Sequence, residues 1–323
     1  MTSKKFNDVL WVFSHATPKI IPSYLVGGIM PADLLGIRKI IFLENHDPLK
    51  TLNLYKPKIL IIPKAFHQNI YNLIKVARKN NIKIISVFDD WNFDLNSKTD
   101  NTKRNIPIAK DSDLRIVKTN TASEILFENT SLDSIVIPDS IRFPSSAVFN
   151  KIIEPFRICW FGMHSNHDTL LNELANIDKV NMNINLKIIT NYSHNLKNII
   201  NNLGLKHIKF EYIEWHPNFN KDVISSEIVL LPYPNDKERL VKSSNRIIDS
   251  LNLGRFVILS DVKQFNEFKD YVFFGKISSG LVWLKNNPLK AKEIVVKGQR
   301  YVQEKYSPKC VSLMWAKAIN KLL

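Results

Sequence analysis

The chain has 323 residues, 45% of them hydrophobic, and its 45 Lys and Arg residues against 30 Asp and Glu residues give a formal net charge of +15. This length and apolar content predict two globular domains and exclude a disordered chain. No run approaches roughly 18 apolar residues, and the run 9–13 is too short for a signal peptide core, so we expect a cytoplasmic protein. Cys159 and Cys310 have no metal-binding or redox spacing, which indicates packing roles.

The positive charge would suit nucleic acid, an anionic membrane face or phosphorylated substrates. Lysines such as Lys75, Lys79 and Lys83 are spread along presumed helix surfaces, and no dense basic run alternates with aromatic residues. We therefore expect no nucleic acid partner. An anionic inner-membrane surface and phosphorylated ligands remain as partners that the charge favours.

Strand-like and helix-like segments alternate in two series, which predicts parallel sheets with helices on both faces. The first series has strands near 9–14, 40–43, 59–62, 84–88, 115–118 and 134–137, with helices at 69–79 and 122–129. The second has strands near 157–161, 186–189, 208–212, 228–231, 256–259 and 272–274, with helices near 169–177, 196–203, 245–253 and 290–305. A proline-bounded, Ser-rich stretch between the two series is typical of a linker.

We therefore predict an α/β protein with two doubly wound, Rossmann-like domains facing a cleft, with ligands bound at the carboxyl ends of the strands. The expected boundaries are an N-terminal domain at 1–145, a linker at 146–155 and a C-terminal domain at 156–307. Residues 308–323 form an amphipathic helix that we expect to pack on a domain, with membrane contact as the alternative.

The segment 242–258 predicts an anion-binding helix followed by a buried strand. Ser243 or Ser244 is a suitable N-cap, so a helix should begin near Ser244 and stop at Gly254. Its free N–H groups would lie beside Lys242 and Arg246, where a diphosphate would meet backbone donors, two cations and hydroxyl groups. The alternative is a capped helix with solvated basic residues.

Several motifs, in their order along the second half, resemble the donor domain of GT-B-fold glycosyltransferases. They lie at 157–166, 214–215, 228–233, 242–246 and 249–254, and two weaker motifs lie at 86–91 and 136–139. The resemblance extends to bacterial cell-surface polysaccharide enzymes with a family 4-like donor domain. In family 4, two glutamates separated by seven intervening residues flank this region. Asp249 matches the second of them, but Val241 stands at the first position, so the motif is incomplete.

The resemblance implies a metal-independent glycosyltransferase with a nucleotide-sugar as substrate and no cofactor. The N-terminal domain would present a glycan or lipid-linked acceptor for surface polysaccharide synthesis (capsule or lipopolysaccharide). The donor-binding residues are then expected in the loops after strands and around the phosphate-binding helix: Gly162, Asn166, Trp215, His216, Tyr233, Lys242, Ser243, Ser244, Asn245, Arg246 and Asp249. For Asp249, the competing interpretation is a salt bridge with Arg246 or Lys242.

Three residues of the first domain are candidates for catalysis. His15 follows a buried strand and could accept a proton near neutral pH, although a structural loop histidine is the alternative. Asp89 and Asp90 end another strand, where they could bind acceptor hydroxyls or act as a base if one raises the pKa of the other. Helix capping and solvation is the competing interpretation of these two acids. Gly27 and Gly28 could allow close approach of a phosphate, but they form no complete glycine-rich motif.

Four other functions stay open. The pairs His216-Pro217 and Ser243-Ser244 also resemble motifs of enzymes that use CMP-activated sugars, such as sialic acid or Kdo-like transferases. A nucleotide-sugar epimerase could have the same fold, since fold does not fix the reaction. A GT-A enzyme would use Asp89 and Asp90 to bind manganese, but one continuous sheet fits the duplicated series poorly. A two-lobed sugar-binding protein would bind without turnover.

Overall fold

The computed structural model describes residues 6–65, 67–90, 100–191, 195–234, 236 and 239–323. They form two compact units, and the chain passes between these units more than once. The N-terminal unit comprises Met1–Ser140, Lys237–Ser244 and Lys305–Leu323, and the C-terminal unit comprises Ile141–Asp236 and Asn245–Glu304. Trp91, the last residue of a predicted motif, lies outside the described residues.

The N-terminal unit contains a six-stranded parallel sheet of order β2-β1-β3-β4-β5-β6. Its strands are β1 Val9–Phe13, β2 Arg38–Ile41, β3 Ile59–Pro63, β4 Lys83–Phe88, β5 Leu114–Val117 and β6 Ile135–Val136. The helices are α1 Pro22–Tyr24, α2 Met30–Leu35, α3 Pro48–Tyr55, α4 Gln68–Lys79, α5 Asp100–Lys110, α6 Asn120–Thr130 and α13 Pro308–Asn320, with a π-helical turn at Leu25–Ile29 between α1 and α2. Apolar runs such as β3 are buried on both faces, as a parallel sheet covered by helices requires.

The C-terminal unit contains a second six-stranded parallel sheet, of order β12-β11-β10-β7-β8-β9. Its strands are β7 Phe156–Phe161, β8 Ile184–Thr190, β9 Ile208–Glu214, β10 Ile228–Leu231, β11 Phe256–Leu259 and β12 Phe273–Phe274. The helices are α7 His167–Asp178, α8 Leu196–Asn202, α9 Asn220–Ile224, α10 Asn245–Asn252, α11 Ile277–Asn286 and α12 Pro288–Tyr306. The predicted α/β class with two doubly wound sheets is confirmed.

The chain divides differently from the predicted boundaries. Residues 146–155 lie in the C-terminal unit, where Phe149 is buried in the main apolar core. The C-terminal unit is also interrupted, because Lys237–Ser244 is assigned to the N-terminal unit. A proline- and serine-rich composition therefore did not mark a free linker here, because the buried Phe149 ring and backbone hydrogen bonds from Ser146 to Asn252 and from Phe149 to Gly254 anchor the segment.

Helix α13 packs on the N-terminal unit through its apolar face. Val311, Trp315 and Ile319 are buried in that core, and the ring of Trp315 lies 4.8 Å from the ring of Trp11. Two tilted, fully buried indole rings contribute a large apolar area to this contact. Within the described residues, no helix has the length and apolar character needed to cross a membrane.

Candidate functional site

Parallel doubly wound sheets bind ligands at the switch point, where the chain continues on opposite sides of the first strand. In the N-terminal sheet this point lies between β1 and β3, and in the C-terminal sheet it lies between β7 and β10. The residues that follow these strands are therefore the first to consider in each unit.

The acid pair Asp89–Asp90 follows β4 at the carboxyl edge of the N-terminal sheet. The ammonium group of Lys64, which follows β3, lies 3.3 Å from Oδ1 of Asp89 and 2.7 Å from Oδ2 of Asp90. The Asp89 side chain is 11% exposed and that of Asp90 is 37% exposed. One half-buried lysine thus holds both acids that the sequence predicted as catalytic candidates.

The two neighbouring carboxyl groups have opposite pKa shifts. Burial raises the pKa of Asp89; the Lys64 ammonium opposes this rise, and the charge of Asp90 adds to it. Burial would also raise the pKa of Asp90, but Lys64 and Lys242 outweigh it and hold that pKa at about 2. Asp90 is therefore a stable anion, and Asp89 is the member of the pair better suited to accept a proton.

The backbone of Lys64 closes the switch point between β1 and β3. Lys64 has a left-handed backbone conformation with φ 46°. Its carbonyl oxygen accepts hydrogen bonds from the hydroxyls of Ser14 at 2.7 Å and Tyr24 at 3.0 Å. Burial raises the pKa of Tyr24 to about 12, which keeps the phenol protonated as a donor. These bonds fix the residue whose side chain holds the acid pair.

His15 lies one residue beyond this hydrogen-bonded group. It is partly exposed, and its Nδ1 accepts a hydrogen bond from the backbone N–H of Thr17 at 3.1 Å. This bond leaves the other ring nitrogen, Nε2, as the atom that carries the proton in the neutral ring. His15 therefore lies at the predicted strand end, and its catalytic role stays a prediction.

A second ion pair lies at the same edge of the sheet, deeper in the unit. Nζ of Lys118 is 3.0 Å from Oδ1 of Asp139, and both side chains are almost fully buried. A Cβ atom on Gly27 would lie 2.8 Å from that ammonium group, while one on Gly28 would meet the ring of Phe13 at the same distance. Close packing of the helical turn therefore requires both glycines, and the phosphate contact that the sequence suggested stays a prediction.

Lys242 and the serines that follow it lie in the segment assigned to the N-terminal unit. Nζ of Lys242 is 2.6 Å from Oδ1 of Asp90. Val241 is buried in the N-terminal core, and Ser244 is buried as well, whereas Ser243 is half-buried. The structure thus places the Lys242 ammonium group on the carboxylate of Asp90.

Helix α10 begins at Asn245, as predicted, and Arg246 in its first turn reaches the switch point of the C-terminal sheet. Its Nη1 donates to the carbonyl oxygen of Phe161, the last residue of β7, at 3.2 Å. Its Nε donates to the hydroxyl of Tyr233, just after β10, at 3.1 Å, and the guanidinium lies 4.6 Å from the centre of that ring. Arg246 therefore spans the two strand ends between which such sheets bind ligands.

The partners of Arg246 are themselves fixed. Tyr233 is buried, its backbone N–H donates to the hydroxyl of Ser260 at 3.0 Å, and its ring lies 4.8 Å from that of Phe265. Gly162 follows β7, and a Cβ atom there would lie 3.2 Å from Nη1 of Arg246. Because Gly162 has no side chain, the guanidinium fits beside it, and a ligand could approach the Gly162 backbone closely. Asn245, the first residue of the helix, is half-buried.

Arg142 binds Asp249, and no motif in the sequence indicates this partner. Nε and Nη2 of Arg142 lie 2.7 Å and 2.5 Å from Oδ2, and the backbone N–H of Arg142 donates to Oδ1 at 3.2 Å. The carboxylate is 1% exposed. Its two oxygens hold the segment after β6 against α10, which favours the salt-bridge interpretation with Arg142 as the partner, and the ligand role of Asp249 stays a prediction.

Three other predicted donor residues make local contacts. Asn166 is the N-cap residue of α7, and its carbonyl oxygen accepts from the hydroxyl of Thr169 at 2.7 Å. The backbone N–H of Trp215 donates to the Thr190 carbonyl at 2.8 Å, and Nε2 of His216 lies 2.8 Å from Oδ2 of Asp222. Trp215 and His216 follow β9, which is two strands away from β7 in the sheet order. The sheet therefore brings Gly162, Tyr233 and Arg246 together. The ring of Trp215 lies 6.2 Å from that of Phe219, which lies 5.4 Å from that of Phe161, and the donor role of Trp215 and His216 stays a prediction.

The paired motifs of CMP-sugar enzymes fall in different units, with His216 in the C-terminal unit and Ser243 in the N-terminal unit. Within the described residues, no three His, Cys, Asp or Glu side chains form a group that could hold a metal ion. Lysine ammonium groups bind the two acids that the GT-A alternative would give to manganese. The two separate sheets also differ from the single sheet of that alternative.

Comparison with known proteins identifies the fold. No family sequence model matches the chain, and no curated protein matches it. Among solved structures, HepE of Anabaena in complex with UDP superposes with a TM-score of 0.69 at 12% identity, over 97% of this chain and 100% of that one. The catalytic domain of Arabidopsis thaliana starch synthase IV, bound to ADP and acarbose, gives a TM-score of 0.63 at 9% identity, over 97% and 98%.

A third similar structure is an epimerase. The UDP-GlcNAc 2-epimerase of Neisseria meningitidis, bound to UDP-GlcNAc, gives a TM-score of 0.58 at 12% identity, over 97% of this chain and 99% of that one. At these identities the likeness establishes the fold alone. The chain has the GT-B fold, as its motifs predicted, and the family 4-like character of its donor domain stays a prediction.

Proposed function

We propose that this protein is a glycosyltransferase that moves a sugar from a nucleotide-sugar donor to a hydroxyl group of an acceptor. The observation that carries the proposal is Arg246, held at the switch point of the C-terminal sheet by Phe161 and Tyr233. The leaving nucleotide gains negative charge as its bond to the sugar breaks, and a prepositioned guanidinium stabilises that charge. The UDP bound to HepE and the ADP bound to starch synthase IV support such a donor.

In this proposal Asp89 removes the proton from the acceptor hydroxyl. Its raised pKa makes it a stronger base than an ordinary aspartate, whereas Asp90 is committed to two ammonium groups. His15 is the second candidate for the base, because its ring lies at the neighbouring strand end. The arrangement would need no metal, since Arg246 and the N-terminus of α10 supply positive charge to the phosphates.

The acceptor is proposed to be a glycan or a lipid-linked saccharide in surface polysaccharide synthesis. A net charge of +15 would favour binding to an anionic inner-membrane surface, where lipid-linked acceptors lie. Sedimentation with vesicles containing anionic lipid, compared with neutral vesicles, tests this part of the proposal. Equal binding to both vesicle types would contradict it.

The test of the function is a nucleotide-sugar screen with the purified chain. Thermal shift with UDP-, GDP-, dTDP-, ADP- and CMP-linked sugars should show stabilisation by at least one of them, because a ligand that binds the folded state raises the melting temperature. That donor should then be consumed faster with an acceptor present, and activity should survive a chelator. A protein that binds none of these compounds would contradict the proposal.

A nucleotide-sugar epimerase is the second candidate, and the epimerase that aligns over almost the whole chain favours it. An epimerase would convert its nucleotide-sugar to an isomer with no acceptor present. Incubation with the donor found in the screen, followed by separation of the sugar isomers, distinguishes the two reactions. Isomer formation at a rate that added acceptors do not change would replace the transferase proposal.

A further inference from the structure

We propose that Lys242 is a positioning residue for the acid pair Asp89–Asp90 and does not bind the donor phosphates. The inference rests on the proposed transferase function and concerns the acids that would act on the acceptor hydroxyl. It reverses the expectation from the sequence, where Lys242 and Arg246 were assigned to one phosphate site. In the structure these two cations have different partners, although they lie only four positions apart in the chain.

Lys242 contacts Asp90 directly, whereas Arg246 has other partners. Nζ of Lys242 lies 2.6 Å from one carboxylate oxygen of Asp90, and Nζ of Lys64 lies 2.7 Å from the other. Each oxygen of Asp90 thus accepts a charge-assisted hydrogen bond from a lysine. Such bonds are shorter and stronger than hydrogen bonds between neutral groups. Arg246, by contrast, contacts the carbonyl of Phe161 and the ring and hydroxyl of Tyr233.

The segment that carries Lys242 is anchored in the N-terminal unit. The preceding residue, Val241, is 4% exposed and packs in the apolar core of the N-terminal unit. The backbone N–H of Lys242 donates to the carbonyl of Arg239 at 3.2 Å, which closes a turn. The side chain therefore starts from a fixed backbone, and its position on Asp90 is set by the same unit that carries the acids.

The ion-paired side chains at this edge of the sheet balance one another in charge. Lys64, Lys118 and Lys242 supply three positive charges, and Asp89, Asp90 and Asp139 supply three negative ones, so the fully ionised cluster is neutral. These groups follow β3, β4, β5 and β6, apart from Lys242, which comes from the later segment. Without Lys242, the cluster would carry an excess negative charge that opposes ionisation of Asp89.

The position of Lys64 links this charge balance to the protonation of Asp89. Lys64 is shared between the two acids and lies nearer to Asp90 than to Asp89. With Lys242 in place, one oxygen of Asp90 already has an ammonium partner. The Lys64 ammonium group can therefore stabilise the ionised form of Asp89. Removal of Lys242 would draw Lys64 towards Asp90 and leave Asp89 protonated over a wider pH range.

The experiment compares Lys242→Met with Arg246→Ala, and it uses Lys290→Met as a matched surface control. Lys242→Met should keep its UDP affinity within about twofold of the wild type. Its kcat should fall at least about tenfold, and the acid limb of its pH–rate profile should move to higher pH. Lys242→Arg should restore most of kcat. A UDP affinity that falls as in Arg246→Ala, or an unchanged kcat and pH profile, overturns the proposal.

A second measurement does not depend on activity. Protein labelled with ¹³C at aspartate carboxyl groups allows the titration of Asp90 to be followed by NMR, with Asp90→Asn used to assign its signal. In Lys242→Met the Asp90 signal should titrate at higher pH than in the wild type, and an unchanged titration overturns the proposal. Failure of the wild type to bind any nucleotide would remove the proposed transferase, while this titration still decides whether Lys242 holds Asp90.

Discussion

The ends of β1 and β3 in the N-terminal unit are joined by hydroxyl donors to the carbonyl of Lys64, whose ammonium group is bound by Asp89 and Asp90. The ends of β7 and β10 in the C-terminal unit are spanned by Arg246, whose described partners are a carbonyl, a phenol and an aromatic ring. One switch point thus holds a cation neutralised by acids, and the other holds a cation among uncharged groups.

This difference shows how two six-stranded parallel sheets can carry different chemistry at their strand ends. A cation with uncharged partners is suited to an anionic ligand such as a diphosphate. A cation that is shared by two acids instead adjusts their proton affinity. The fold supplies the strand ends, and a few side chains at those ends assign the chemistry.

Asp89→Asn should give the largest effect on turnover if this division is correct. A general base contributes about 10²- to 10⁴-fold to the rate, so kcat should fall by that order while UDP affinity stays unchanged. The melting temperature should remain equal or rise at neutral pH. Because burial raises the pKa of Asp89, its ionisation costs stability as pH rises above the unfolded value, and the amide removes that cost. Turnover and calorimetry on the same preparation test both outcomes.

Arg246→Ala tests the other side of the comparison. Loss of the guanidinium should weaken UDP binding by about 100-fold, or roughly 2.7 kcal/mol, with little change in melting temperature. Arg246→Lys should recover only part of the affinity, because an ammonium group cannot donate in the same planar geometry. Titration calorimetry with UDP measures the effect, and the exposed Arg300→Ala serves as control. Wild-type affinity in Arg246→Ala would refute the assignment of the C-terminal switch point.

Asp249→Asn should act on stability and leave ligand binding intact. It removes the charge partner of the buried Arg142, and breaking such a pair costs about 3–5 kcal/mol. Chemical denaturation measures the loss of unfolding free energy, and UDP affinity is then compared at a temperature where the variant is folded. A large loss of affinity with unchanged stability would return Asp249 to the donor site.

Gly162→Ala should give the smallest effect of the four. The added Cβ would lie 3.0 Å from the ring of Trp160 and 3.2 Å from Nη1 of Arg246, so the guanidinium must shift by a few tenths of an ångström. Since hydrogen-bond geometry is sensitive to such shifts, UDP affinity should fall by roughly tenfold. Calorimetry again measures the effect. An unchanged affinity would indicate that the ligand does not approach this strand end.

Much of this organisation could be predicted from the sequence. The strands are short apolar runs between polar segments, and two of them, Ile228–Leu231 and Phe256–Leu259, have the predicted bounds. Helices were harder where the local signals conflict: α5 contains Pro107, and α11 contains Gly280, so neither was predicted. The expected places for ligands followed from the strand ends, because parallel strands direct their carboxyl ends to one edge.

The pairing of charged side chains could not be predicted in the same way. Lys242 contacts Asp90 across 152 positions in the chain, and Arg142 contacts Asp249 across 107. No local pattern specifies such a partner, since either lysine or arginine could serve any acid within reach. Lys64 was missed for a related reason: a single lysine after an apolar run is common, and only its position between two aspartates gives it a role.

The most direct test of the central claim is a crystal structure of the wild-type chain soaked with UDP, at a concentration well above the measured Kd. The account predicts a diphosphate within hydrogen-bonding distance of the Arg246 guanidinium, beside Gly162 at the ends of β7 and β10, with Lys242 still bound to Asp90. A diphosphate bound at Lys64 and Lys242 in the N-terminal unit, with Arg246 making no contact to it, would contradict the account.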